Sequence, residues 1–430
     1  MYSRKEVLSN LLNDDLLSQC IHCGLCLSVC PTYVTTNLER SSPRGRLRLI
    51  KEYADDKNKL GNIFEDEMDF CLGCRACETA CPAGVKYDVL HNETKYLLSK
   101  DKKVNLKKIL IKFFLNKILA NPSNLKLYSR ILRTYQQSWF RKMLHSSNIL
   151  KNISSKLFLI DELTPQISKI SSDRLIDELT LPTNTKYYDV SFHVGCIMNV
   201  AFSDENLETI NILKNSSCKI ITPRYQFCCG ALHAHNGELK KAKELAKKNI
   251  DLFENYNFEF LISNSAGCGS FMKEYTDLLK DDNEYEIKAE KFSSKIKDIT
   301  EFLFEKNIKL KYKDLKEKIT YHDACHLVHG QGIYDQPREL LKNFCKSNFI
   351  EMNYSTFCCG SAGIYNILRQ KDSQVFLDKK MQNIAQTNAD IVVTGNPGCI
   401  MQLKYGVKKS NLNIQVKHIV SVINEQIVTE

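Results

Sequence analysis

Apolar positions along this chain switch between two periods, and the switches divide it into sections. Leu106, Ile109, Leu110, Phe113, Phe114 and Ile118 fall at the three-and-four spacing of one helical face. Pro122 predicts a break after them, because proline has no amide hydrogen to continue the ladder. A second helical pattern runs through Leu127, Ile131, Leu132, Tyr135 and Trp139, and a shorter helix is predicted earlier, over 47–53. Beyond a polar connector at 171–186, which contains Pro182, short apolar runs take over. Residues 188–194, 219–222 and 258–263 read as strands. Between the last two lies an amphipathic helix at 238–256, with Ala242, Leu245, Ala246, Ile250 and Phe253 on one face. The same order returns further on, with strands predicted at 319–322, 348–352 and 391–394. Strands alternating with helices predict two α/β units with largely parallel sheets.

Cysteines repeat with those units. Cys196, Cys228-Cys229 before Gly230, and Cys268 recur as Cys325, Cys358-Cys359 before Gly360, and Cys399. A constant offset of this kind marks a duplicated domain. Each set lies where strands run into glycine-containing turns, the usual place for sites in such folds. Four thiols from three loops suit a metal site, with an iron–sulfur cluster favoured over zinc. Cys218 and Cys345 lack the glycine context and read as small core hydrophobes.

A different cysteine pattern occupies the N-terminal quarter. Cys20, Cys23, Cys26 and Cys30-Pro31 keep the same spacing as Cys71, Cys74, Cys77 and Cys81-Pro82. Three closely spaced thiolates can wrap three irons of a [4Fe–4S] cube, and the fourth cysteine before proline caps the other cluster. The expected ligand sets are therefore Cys20, Cys23, Cys26 and Cys81 for one cluster, and Cys71, Cys74, Cys77 and Cys30 for the other. Structural zinc would leave the third cysteine and the proline without a role.

Charge adds one feature. The net charge is +10, yet residues 102–156 hold thirteen Lys or Arg and no acidic residue. That segment reads as a helical linker whose basic, partly apolar surface could meet a membrane surface or an acidic subunit. Arg44 and Arg46, in a loop near the first cluster, could dock an acidic partner or be solvated. His233, His235, His322 and His326 flank the second cysteine set. They read either as donors to cluster sulfur or proton carriers near a quinone, or, more simply, as loop histidines satisfied locally. No run of eighteen apolar residues and no secretory pattern at the start is visible. Thiolate clusters then place the chain in the cytoplasm, free or peripheral on the cytoplasmic face of a membrane.

The fold class expected is multidomain α+β. Residues 1–100 form a helical ferredoxin-like module with two [4Fe–4S] clusters, 101–186 a basic helical linker, and 187–312 and 313–430 tandem α/β Cys-Cys-Gly domains. The tandem domains resemble those of the heterodisulfide reductase catalytic subunit. Joined to the two-cluster module, the chain resembles the iron–sulfur subunits of glycolate oxidase, and also those of anaerobic glycerol-3-phosphate and lactate dehydrogenases. The likeness is carried by Pro43-Arg44-Gly45-Arg46, Cys228-Cys229-Gly230-Ala231, Ala266-Gly267-Cys268-Gly269 and Cys358-Cys359-Gly360-Ser361-Ala362-Gly363. It departs from heterodisulfide reductase at Ser265 and Asn396, which replace the first cysteine of a closing Cys-x-x-Cys.

No nucleotide fingerprint, phosphate-cradling loop or nucleophile elbow is present. The resemblance therefore implies an oxidoreductase subunit with no catalytic residue of its own. It would take electrons from a flavin-containing oxidase subunit and pass them to quinone or another acceptor. A cluster-containing sensor that binds nucleic acid is the different-class alternative. No helix-turn-helix or similar reader supports it, so no nucleic-acid partner is expected.

Overall fold

The computed structural model describes residues 14–55, 61–101, 106–147, 149–183, 185–186 and 188–428. Its N-terminal module is helical. Pro43–Asp55, Gly61–Phe70 and Tyr87–Asp101 pack around Leu47, Ile50, Tyr53, Phe64, Met68 and Leu90. The predicted short helix at 47–53 is the middle of the longer Pro43–Asp55, which a proline starts. Proline suits a first turn because its missing N–H has no partner to lose there.

The linker folds as a run of helices against the rest of the chain. Leu106–Phe113 continues into a wider π-type turn, Phe114–Leu119. Pro122 ends that run and opens the next helix, Pro122–Gln137, which Asn121 caps through its side-chain oxygen. Ser138 interrupts the second predicted helical stretch and caps Trp139–Ser146.

The connector is not simply polar coil. It contributes a short edge strand, β1 (Leu179–Thr180), paired antiparallel with β3. The first sheet runs β1-β3-β2-β4-β5, with β2 Tyr188–Phe192, β3 Cys218–Ile221, β4 Phe260–Ser263 and β5 Ile296–Asp298. All pairs except β1·β3 are parallel. The second sheet runs β6-β7-β8 in parallel, with β6 Ile319–Tyr321, β7 Ile391–Thr394 and β8 Gln415–His418. The strand predicted at 348–352 is not built. Only a single parallel bridge, Ile319 to Phe349, stands in its place, after a short 3₁₀ turn at Lys346–Asn348. The duplication thus survives in strand order while the second copy has lost the strand matching β3.

One apolar core runs through both sheets. Val190, Phe192 and Ile262 of the first copy share it with Ile319, Val393, Ile419 and Ile423 of the second. In the first sheet the chain leaves β2 for β3 on one side and β4 on the other. The carboxyl ends of β2 and β4 therefore flank a switch point, where loops diverge and leave a crevice. The cysteine loops emerge there. No helix among the described residues is long and apolar enough to cross a membrane.

Candidate metal centres

In the N-terminal module Cys30 is buried directly before the helix Pro31–Thr36, so the following proline fixes its backbone at a helix start. Its sulfur is near enough to act electrostatically on Cys26 and also on Cys74 and Cys77. Burial, then the neighbouring thiols, push Cys74 and Cys77 well above the ordinary thiol range. Cys20 and Cys81 pack against one core with Cys71 and Cys77, while Cys23 is exposed.

Arg46 tests whether clusters fit here. It is 1% exposed, and its Nε donates to the carbonyl of Glu67 and Nη1 to Thr32. Its Nη2 makes no hydrogen bond and lies 3.7 Å from Glu67 Oε2. Burial works against its charge, but Cys71, Tyr87, Cys30 and Glu67 together keep it protonated. A buried cation facing two cysteine loops suits an anionic iron–sulfur centre, which also relieves the crowding of protonated thiols by displacing their protons. This corrects the docking role considered for Arg46: the side chain is inside. Arg44 is also engaged, donating through Nη1 to the carbonyl of His22 and through Nε to Glu39.

In each α/β copy the four predicted thiols converge. Cys228 contacts Cys196 and Cys229, and Cys229 contacts Cys268. The second copy repeats this with Cys325, Cys358, Cys359 and Cys399. Adjacent cysteines reach one point because the next glycine turns left-handed, at φ +95° in Gly230 and +86° in Gly360. A Cβ at Gly360 would lie 2.6 Å from the Ser373 carbonyl oxygen. Contact with neighbouring thiols and burial raise the pKa of Cys228, Cys229, Cys268 and Cys325. The two substituted positions remain at their sites. Ser265 hydrogen-bonds Cys268, and Asn396 Nδ2 donates to Cys399 Sγ at 3.5 Å.

The second site also draws in an imidazole. His322 and the sulfurs of Cys359 and Cys399 offer ligand atoms all within 4.8 Å of one another. Burial holds His322 neutral, and neither ring nitrogen makes a well-formed hydrogen bond. A thiol set with an adjacent unpartnered imidazole fits iron–sulfur or zinc. His193 is the matching residue of the first copy and was not anticipated. It too is buried with neither nitrogen making a well-formed hydrogen bond, and its pKa is lowered to about 4 by burial. Its position three residues before Cys196, like that of His322 before Cys325, was the available signal. Lys380, fully buried, was also missed. Its Nζ donates to the carbonyls of Tyr354 and Ser355. Burial lowers its pKa to about 8, against the pull of Cys359, Asp323 and Cys358.

The other singled-out histidines divide. His233 Nε2 bonds the linker carbonyl of Leu115 at 2.9 Å, a local role. His235 bonds Asn92, and its ring lies 5.5 Å from that of His326. His326 Nδ1 is 3.3 Å from Cys325 Sγ. Cys218 and Cys345 lie in the core, their pKa values raised by burial to about 12 and about 11.

The two copies face different neighbours. Cys74 interacts with Cys325 and Cys358, and shares an apolar cluster with Leu72, Cys358 and Phe376. Cys196 and Cys228 are instead covered by Leu115, Leu119 and Leu125 of the linker. Arg75, paired with Glu78 and Glu274, and Lys86, paired with Asp277, join the N-terminal module to the first copy; Arg369 with Asp66 joins it to the second.

Two cysteine-rich α/β copies joined to a helical two-cluster module define an iron–sulfur electron carrier. Residues 16–85 match the model of a 4Fe-4S dicluster domain, and 190–273 and 319–404 that of a cysteine-rich domain. Residues 106–163 match the linker region of the glycolate oxidase iron-sulfur subunit. A probable glycolate oxidase iron-sulfur subunit of Bacillus subtilis is 36% identical over 94% of this chain and 92% of its own. The glycolate oxidase iron-sulfur subunit of Escherichia coli is 26% identical over 97% of this chain and 96% of its own. Lactate utilization protein A of Oceanobacillus iheyensis is 30% identical over 55% of this chain and 96% of its own. A crystal structure of a hypothetical protein from Helicobacter pylori shares the fold, with a TM-score of 0.53 and 11% identity over 100% of this chain and 78% of that one. The chain belongs to the glycolate oxidase iron–sulfur subunit family, and its cofactors are [4Fe–4S] clusters.

Proposed function

We propose that this chain carries single electrons from a flavin-containing partner subunit, which oxidises glycolate, to quinone or another acceptor. In this reading Cys20, Cys23, Cys26 and Cys81 hold one [4Fe–4S] cluster and Cys71, Cys74, Cys77 and Cys30 the other. Cys196, Cys228, Cys229 and Cys268 form a further site for a cluster or zinc, as do Cys325, Cys358, Cys359 and Cys399. When bound, the clusters supply one-electron redox steps; the protein orients them, buries them and sets their surroundings. The domains are 1–100, 101–186, 187–312 and 313–430, and the chain works in the cytoplasm, peripheral on the inner face of the membrane.

One observation carries the reading: the cysteine loops of the N-terminal module and of the second α/β copy adjoin. Cys26, Cys30, Cys74 and then Cys325 and Cys358 interact in series, linking the N-terminal sites to that of the second copy. The likeness to lactate utilization protein A favours lactate as a second substrate reading. One assay separates them. The native complex is mixed anaerobically with glycolate, lactate or glycerol 3-phosphate, and cluster bleaching is followed. Glycolate should bleach fastest. If lactate does so instead, the substrate assignment changes; if none does, the electron-carrier reading fails.

A further inference from the structure

A cavity of about 760 Å³ opens where the N-terminal module, the linker and both α/β copies meet. Cys71 and Gly73 form part of its wall, with His91, His235, His326 and Tyr365 around them. Its size is that of a ligand pocket.

The charged groups on the wall cancel. Lys95 pairs with Asp69 at 3.0 Å, Lys112 with Glu238 at 2.9 Å, and Arg369 with Asp66 and Asp372 at 2.6 Å each. Such a wall does not select a small anion. Lys156, Lys371 and Glu65 complete a wall of five basic and five acidic side chains, and three imidazoles, His91, His235 and His326, stand among them. His91 is held by the Met68 carbonyl and His235 by Asn92, while His326 Nε2 has no partner. Rings oriented in this way can exchange hydrogen bonds with carbonyl or hydroxyl groups of an uncharged ligand.

Apolar residues supply the rest, including Leu232 and Ile364. Ile111 and Leu115 come from the linker run whose outer residues Ile109, Leu110, Phe113 and Phe114 are exposed. A lipophilic tail leaving the cavity along this side would meet an apolar, cation-flanked surface.

We propose that this cavity binds the headgroup of a quinone, with its ring against the loop of Cys71 and its oxygens hydrogen-bonded by His235 and the neighbouring imidazoles. The proposal rests on the electron-carrier reading above. In the reaction the quinone gains two electrons, delivered singly, and two protons from solvent, giving the quinol. The partner's hydroxy-acid substrate supplies those two electrons as it is oxidised.

The test is equilibrium binding and photolabelling of the native complex by decylubiquinone and its azido derivative. The fully substituted ring of decylubiquinone cannot alkylate thiols. Wild type should bind about one per chain saturably and carry the label on peptides containing His235 or Ile364. Ile364→Trp, which fills the cavity, and His235→Phe, which removes the ring nitrogens, should each weaken binding at least tenfold with iron content retained. Non-saturable uptake, label elsewhere, or equal binding by both iron-replete variants would overturn the site. Bleaching by glycolate without quinone binding would remove the site and leave the carrier reading intact. Saturable binding in a complex that no hydroxy acid reduces would do the reverse.

Discussion

Cys30 shows what one residue decides in a two-cluster module. Near enough to act on Cys26 and on the pair Cys74 and Cys77, it can serve only one centre. Cys30→Ser should chiefly remove the cluster of Cys71, Cys74 and Cys77, seen as loss of about four irons and of one of two coupled spectra. Selective loss of the other cluster would reverse the ligand assignment. His418 makes a pH prediction. Its Nε2 donates to the Asn264 carbonyl at 2.9 Å, and its Nδ1 accepts from the Val420 amide. Burial lowers its pKa from 6.5 to about 4. The unfolded chain therefore takes up a proton near the higher value and the folded chain only near the lower. Between them the unfolded state binds more protons, so stability falls as pH drops through that window and is unaffected above it. The loss should reach about 2 kcal/mol by about pH 5. Urea titrations of wild type and His418→Gln should show a shallower acid dependence in the variant; equal slopes would reject the assignment. These residues also mark the limit of sequence reading. Cysteines in fixed spacing announce their role, whereas His193, Arg46 and Lys380 acquire theirs by burial among segments distant along the chain.

At the scale of elements, periodicity located what packs on one face and missed what depends on a neighbour. The helix at Leu239–Glu254 and strands β2, β4, β6 and β7 fall where the apolar pattern predicts. The segment at 348–352 has a strand-like sequence but only one bridge, and β1 forms inside a polar connector because β3 offers an open edge. The linker helix divides its apolar residues. Ile111, Leu115, Ile118 and Leu119 pack around Cys196 and Cys228. Ile109, Leu110, Phe113 and Phe114 stay exposed, with Lys117 alongside and Lys112 paired with Glu238. A basic, apolar face suits anionic lipid, each well-placed cation contributing about 1 kcal/mol. The wild type should cosediment with anionic vesicles at low salt and be released at high salt. Phe113→Ser with Phe114→Ser should weaken binding at least tenfold at low salt. Indifference of the wild type to vesicles would assign this face to a partner subunit.

Across the whole molecule, duplication has produced two sites of similar thiol geometry in unlike surroundings. The thiols of the first site shift one another's pKa, with burial, Ser265 and backbone amides as the other causes, under a cover of linker leucines. The second has Cys74 of the N-terminal module beside Cys325 and Cys358, and the buried cation Lys380 acting on Cys359 and Cys358. A cation near thiolate ligands favours the electron-rich state of a redox centre, and closeness favours exchange with the cluster of Cys71, Cys74 and Cys77. The sequence repeat made the two sites look equivalent, since it records ligands and not what packs on them. If the second site is the redox partner, its reduced centre should broaden the spectrum of the neighbouring cluster by magnetic interaction. Cys358→Ser should abolish that broadening, and Cys228→Ser, with iron in the N-terminal module unchanged, should leave it. The opposite pattern would move the electron path to the first site. Zinc at Cys325, Cys358, Cys359 and Cys399 with no broadening would make the second site structural, so that electrons leave the chain from the N-terminal clusters.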